Sequence, residues 1–142
     1  TDPAAYEPFS RRLAGSPIAD RVTVHGSVPE AEVQLTLQRG TLFLLPTLAE
    51  TAGLALSEAL AAGVPIVTNR VGCTPELVDH GETGYLLEPD DAEGWTQAVR
   101  NLLEDAELLA HVRGTARTQR LVLPTWKITA RRVAKVLEAA AA

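Results

Sequence analysis

The chain has 142 residues, a formal net charge of −5, and a composition that is 46% hydrophobic and 22% charged. This length is enough for one domain with a buried core, and the acidic balance argues against nucleic acid as the main partner. The single cysteine excludes an internal disulfide and a cysteine-based zinc site. Because nothing resembles a signal peptide and no apolar run reaches the roughly 20 residues of a membrane helix, we expect a cytoplasmic protein.

Strand-like and helix-like segments alternate along the chain. A first helix is predicted to begin at Asp2-Pro3, and a last helix at Pro124-Thr125. Four strands are predicted between them, at residues 22–25, 42–45, 64–68 and 85–87. Residues 42–45 are apolar without alternation, which is typical of a strand buried on both faces of a parallel sheet. The pattern predicts an α/β fold with a doubly wound, Rossmann-like parallel sheet.

The most informative stretch is E-T-A-G-L-A-L-S-E, which runs from Glu50 to Glu58 between two predicted strands. If a helix begins near Gly53, Glu50 lies in the loop above the strand end and Glu58 lies about one and a half turns into the helix. Free N–H groups of the first turn favour a phosphate, and carboxylates accept hydrogen bonds from sugar hydroxyls. The stretch therefore predicts a nucleotide-sugar site.

Each carboxylate also has a simpler interpretation. Glu50 could be an ordinary loop residue on a solvated surface, and Glu58 an exposed helical glutamate. The neighbours of Glu58 are apolar, however, which predicts a largely buried helix. A carboxylate in such a helix needs a partner, because burying an unpaired charge is costly.

The capping-box pattern Asp90-x-x-Glu93 predicts where a later helix begins.

Four blocks of the sequence carry a resemblance to a known family. The stretch P-T-L-A-E-T-A-G-L-A-L-S-E-A-L-A-A-G-V-P-I-V is similar to the donor-site signature of family-4 retaining glycosyltransferases, which have the two-domain GT-B fold. The resemblance continues in V-T-V-H-G-S-V at residues 22–28, in G-C-T-P-E-L-V at residues 72–78, and in G-E-T-G-Y-L-L-E-P at residues 81–89. Together the blocks span most of residues 21–105, in the order that the family shows.

The resemblance implies that residues 1–142 are a nucleotide-sugar-binding domain, a partial C-terminal domain of a GT-B fold. The first strands and the N-terminal acceptor domain would be absent. The family's basic pair at the donor diphosphate would be absent too, since the chain has lysine at positions 127 and 135 alone. The implied activity is transfer of a sugar, with retention, from a nucleotide-diphosphate sugar to an unknown acceptor. We therefore expect residues 1–142 alone to be inactive.

The resemblance also implies roles for individual residues. Glu50, the candidate catalytic residue, would contact the hydroxyls of the transferred sugar, and Glu58 would contact the ribose diol. The remaining donor-binding candidates act through the backbone or by shaping the pocket: Gly53 and Leu54 at the phosphates, Gly26 and Val28 at the base, and Ala52, where the family often has an aromatic residue.

No metal is expected, because the three histidines share no ligand spacing with one another or with carboxylates. No cofactor is expected either, because the implied nucleotide sugar is a substrate. Cys73 is interpreted as a small filler near a helix start. Two alternatives remain open. The chain could be a Rossmann-like module that binds a nucleotide or protein without chemistry, or part of a GT-B-fold nucleotide-sugar epimerase.

Overall fold

A computed structural model describes residues 3–119 and 125–140, so the predictions made at Asp2 and Pro124 lie outside the described residues. The chain divides into two compact units, Thr1–Val33 and Gln34–Ala142. None of the described helices is both long enough and apolar enough to cross a membrane.

The first unit is helical. It contains α1 (Pro3–Ala14), a 3₁₀ turn at Ala19–Arg21, and the first residues of α2 (Glu30–Arg39), which continues into the second unit. The strand predicted at residues 22–25 is wrong. These residues form no ladder with any described strand, and all four are exposed. Their β-branched pattern favours extended backbone, but a strand also needs a hydrogen-bonded neighbour.

The second unit is built on a parallel sheet. Its strands are β1 (Phe43–Leu45), β2 (Ile66–Asn69) and β3 (Gly84–Leu87), in the order β1-β2-β3. Phe43 pairs with Ile66, and Ile66 pairs with Gly84. The helices of this unit are α3 (Leu54–Ala62), α4 (Thr74–Leu77), α5 (Ala92–Glu104), α6 (Ala106–Gln119) and α7 (Trp126–Ala140). The predicted α/β class with a parallel, Rossmann-like sheet is confirmed.

The core lies on both faces of the sheet because β2 points alternate side chains to opposite sides. Ile66 packs in one cluster with α3, and Val67 packs in a second cluster with α5 and α6. Burial on both faces was predicted for residues 42–45, and for β1 this prediction is wrong, whereas all four residues of β2 are buried. Leu44 is 47% exposed and belongs to neither cluster.

Candidate functional site

The site is built at the end of the sheet where three loops leave the strands. Because β1, β2 and β3 are parallel, the loops after Leu45, Asn69 and Leu87 all begin at the same edge. Ligands of open α/β sheets bind outside this carboxyl edge. The first of these loops carries Glu50 and leads into α3.

Glu50 is tied to the start of α3. Its Oε1 accepts a hydrogen bond from the Gly53 N–H at 2.9 Å, and the side chain is half-buried. Gly53 precedes the helix with φ +61°, a left-handed conformation that glycine adopts without strain. The resemblance implied that the Gly53 amide would contact the phosphates; in the structure this N–H donates to the Glu50 carboxylate.

The first turn of α3 still offers donors. The N–H groups of Leu54, Ala55 and Leu56 have no intrahelical acceptor, since they precede the first i−4 bond. That bond joins the Ser57 N–H to the Gly53 carbonyl at 2.8 Å, and no described side chain caps the helix. Leu54 and Ala55 are exposed, so their N–H groups and the positive end of the helix dipole are available to an anion beside Glu50, whereas Leu56 is fully buried.

Glu58 lies on the exposed face of α3. Leu54, four residues earlier, is exposed on the same face, whereas Leu56 and Leu60 are fully buried. The prediction that Glu58 needs a partner within a buried helix is wrong. Glu58 is two positions from each buried leucine, which is about 200° around the helix axis, so it points away from the core. In the described parts of the chain it takes part in no ion pair.

The loop after β2 packs directly against the backbone of Glu50. A Cβ on Gly72, where φ is +51°, would lie 1.8 Å from the Glu50 carbonyl oxygen. The same oxygen accepts a hydrogen bond from the Cys73 N–H at 3.1 Å. A Cβ on Gly53 would lie 2.2 Å from Leu77 Cδ1 and 3.3 Å from Cys73 Sγ. Cys73 therefore helps to fill the space between the two loops, as predicted.

A buried polar network lies below these loops, and the sequence analysis missed it. Asn69 Nδ2 donates to the Thr47 carbonyl at 2.9 Å, and Asn69 Oδ1 accepts from Trp95 Nε1 at 2.9 Å. Thr68 Oγ1 donates to the Leu45 carbonyl at 2.8 Å, and Thr74 Oγ1 donates to the Asn69 carbonyl at 2.7 Å. The available signal was the polar pair Thr68-Asn69 at the end of an otherwise apolar strand.

Cations and metal ligands are sparse at this edge. Arg70 follows β2, and its Nε lies 3.7 Å from Glu88 Oε1, with both side chains well exposed. In residues 3–119 and 125–140 no group of three or more His, Cys, Asp or Glu side chains is arranged to hold a metal ion.

For three other residues, Ala52, Gly26 and Val28, the role in donor binding stays a prediction. Ala52 is exposed in the loop between Glu50 and Gly53. Gly26, with φ +67°, and Val28, which is half-buried, belong to the first unit.

Residues 3–105 match the sequence profile of the family described as glycosyl transferases group 1. The chain belongs to this family. N-acetyl-alpha-D-glucosaminyl L-malate synthase of Bacillus anthracis is 43% identical over 91 residues, which are 64% of this chain and 23% of that protein. The chain spans about a quarter of the length of the curated relatives that it matches.

Two solved structures share the fold. Sucrose-phosphate synthase of Thermosynechococcus elongatus superposes with a TM-score of 0.88 at 24% identity, over 100% of this chain and 36% of that chain. HepE of Anabaena, solved in complex with UDP-glucose, gives a TM-score of 0.85 at 19% identity, over 97% of this chain and 38% of that chain. The resemblance to group 1 glycosyltransferases of the GT-B fold, stated from four sequence blocks, is confirmed.

Proposed function

We propose that the chain is the donor-binding part of a retaining glycosyltransferase that uses a nucleotide-diphosphate sugar. The remainder of the enzyme would supply the acceptor site. Sugar transfer is the common activity of the family, and the donor-binding role is our inference from the site.

The observation that carries this proposal is the arrangement of Glu50 at the start of α3. One carboxylate oxygen holds the Gly53 N–H, and no described residue hydrogen-bonds the other. The N–H groups of the exposed residues Leu54 and Ala55 follow in the first turn of α3. A diphosphate would bind the N–H groups, and the free carboxylate oxygen would accept a hydrogen bond from a sugar hydroxyl.

The exposure of Glu58 supports a contact between this carboxylate and the ribose of the donor. A carboxylate that neither packs in the core nor pairs with a cation costs little to hold at the surface and is free to accept hydrogen bonds from the ribose diol. Glu58 lies one turn beyond Leu54, and side chains of a helix lean toward its N-terminus. Both features favour contact with a ligand bound at the first turn.

The relatives support the class of donor. HepE was solved with UDP-glucose, and its fold covers nearly the whole of this chain. Positioning and electrostatic stabilisation of the departing diphosphate are the contributions that such a site can make to transfer. We assign no nucleophile and no metal. Retention of the anomeric configuration, an acceptor domain outside residues 1–142, and a cytoplasmic site of action belong to the same proposal.

The test is an NMR titration of the ¹⁵N-labelled chain with a panel of UDP-, ADP- and GDP-linked sugars. We expect saturable shifts of the amides from Glu50 to Leu56 with one base preferred, and no such shifts with the free sugar. Binding of the chain to a protein or a nucleotide without these shifts would favour the interaction-module alternative.

Glu50→Ala separates a ligand role from a structural one. The variant loses the partner of the Gly53 N–H, so we expect a decrease of about 0.5–1.5 kcal/mol in the free energy of unfolding. In the intact enzyme it should lower turnover far more than this loss of stability explains. Parallel losses of stability and turnover would contradict the role assigned to Glu50.

A further inference from the structure

Asn69 is a buried polar residue that the proposed chemistry leaves without a role. It ends β2 and is 1% exposed. Burying an amide is unfavourable unless its polar atoms are hydrogen-bonded, and both side-chain polar atoms of Asn69 are.

The two partners determine which residue type fits. The Thr47 carbonyl can accept but not donate, and Trp95 Nε1–H can donate but not accept. The site therefore needs a donor and an acceptor in fixed positions, which also settles the orientation of the amide. Aspartate would place a buried negative charge against a carbonyl oxygen, and leucine would leave both partners without a hydrogen bond.

These partners belong to different elements. Thr47 begins the loop that leads to Glu50, and Trp95 belongs to α5, packed against the second core cluster. Asn69 therefore joins the loop after β1 to a helix that lies later in the chain. Hydrogen bonds of Thr68 to the Leu45 carbonyl and of Cys73 to the Glu50 carbonyl secure the same segment before and after Thr47.

We propose that Asn69 is a positioning residue of the donor site. By hydrogen-bonding both the Thr47 carbonyl and Trp95 Nε1, it holds the loop that carries Glu50 in register with α3. Its effect on donor binding rests on the proposed function, but the positioning itself is measurable without any ligand. A fully satisfied buried network of this kind restricts the backbone that it joins.

Amide hydrogen exchange, followed by NMR on the 142-residue chain, tests the positioning. The reporters are the N–H groups of Gly53 and Cys73, which donate to Glu50 Oε1 and to the Glu50 carbonyl. The reference is the Ile66 N–H, which donates to the Thr83 carbonyl in the sheet. In Asn69→Asp we expect the reporters to exchange about 5- to 30-fold faster relative to the reference, the factor that one or two kcal/mol represents.

A matched control distinguishes positioning from general loss of stability. Val112 is fully buried in α6 and belongs to the cluster that also holds Trp95. Val112→Ala should weaken the core and accelerate reporters and reference together. If Asn69→Asp gives the same even acceleration, or leaves the reporters unchanged relative to the reference, the proposal is overturned.

Trp95→Phe keeps the test decisive if Asn69→Asp does not fold. It removes the Nε1–H donor and preserves an aromatic ring, so Asn69 loses one of its two side-chain hydrogen bonds. We expect the same selective acceleration of the Gly53 and Cys73 amides, smaller in size. An even acceleration in this variant would also overturn the proposal.

A titration with UDP links the positioning to the proposed function. The Kd of Asn69→Asp should rise about 5- to 30-fold above that of the wild-type chain, while that of Val112→Ala should be unchanged. Equal changes in the two variants would count against the positioning role. If the wild-type chain does not bind UDP or any nucleotide sugar, the proposed function fails, and the exchange experiment still decides whether Asn69 positions the loop.

Discussion

At the scale of single residues, the site depends on glycines that allow two loops to touch. Gly72 has φ +51°, and its missing side chain leaves room for the Glu50 carbonyl. An L-residue adopts this conformation only with strain, and its Cβ would clash with the Glu50 backbone, which cannot move aside as a side chain can.

Gly72→Ala should therefore lower the free energy of unfolding by about 3 kcal/mol or more. Gly81→Ala is the control, since Gly81 also has positive φ, at +86°, but a Cβ there would meet nothing within 4 Å. The control should lose about 1–2 kcal/mol, the cost of the left-handed conformation alone. Urea denaturation measures both, and equal losses would show that the contact with Glu50 is unimportant for stability.

Glu58→Gln should weaken binding of a nucleoside diphosphate with little effect on stability. An amide oxygen is a poorer acceptor than a carboxylate, so we expect a five- to tenfold higher Kd, about 1 kcal/mol. Because Glu58 is exposed, the free energy of unfolding should change by no more than about 0.5 kcal/mol.

Calorimetry with the nucleoside diphosphate measures the affinity of the Glu58 variant, and Glu107→Gln, on the exposed first turn of α6, is a charge-matched control. If both variants bind like the wild type, Glu58 does not belong to the site. If both bind more weakly to the same degree, the effect is one of net charge.

At the scale of elements, glycine conformation marks both ends of α3. Gly53, near which the sequence predicted the helix to begin, has φ +61°, and Gly63, with φ +70°, ends the helix. The capping pattern was shifted by one residue. The sequence favoured Asp90, whereas Asp91 caps α5, its Oδ1 accepting from the Gly94 N–H at 2.8 Å. Consecutive aspartates satisfy the same pattern, and the actual cap is the one whose backbone turns into the helix.

Asp91→Ala should cost about 1 kcal/mol of unfolding free energy, the usual value of an N-cap side chain. Asp90→Ala removes the same charge without removing the cap, and we expect a change within about 0.5 kcal/mol. Thermal or urea unfolding of the two variants measures the difference. A larger loss in Asp90→Ala would place the functional cap where the sequence pattern first suggested it.

At the scale of the whole molecule, the chain covers 36% of the sucrose-phosphate synthase chain and 38% of the HepE chain that share its fold. A transferase must hold the acceptor substrate against the donor substrate. The candidate site offers N–H groups and carboxylates for one substrate. Arg70, which follows β2, pairs with Glu88. A diphosphate would then be held by helix N–H groups and the helix dipole, an interaction worth about 0.3–1 kcal/mol near a surface.

We therefore expect residues 1–142 alone to transfer no sugar and to bind nucleotide-diphosphate sugars weakly. Nucleotide release, followed with a panel of donors and simple acceptors, measures transfer, and the NMR titration measures binding in the same preparation. Transfer above background would show that residues 1–142 contain a complete catalytic site.

The sequence alone determined the α/β class, the strand–loop–helix placement of Glu50 and Glu58, and the start of α3. These features depend on interactions within a few residues, such as positive φ at glycine and the periodicity of apolar side chains. The tertiary structure decided the rest. Asn69 finds its partners 22 and 26 positions away, and residues 22–25 have a strand-like pattern but no neighbour among the described strands. Such contacts depend on which segments meet in the fold, which a local pattern does not specify.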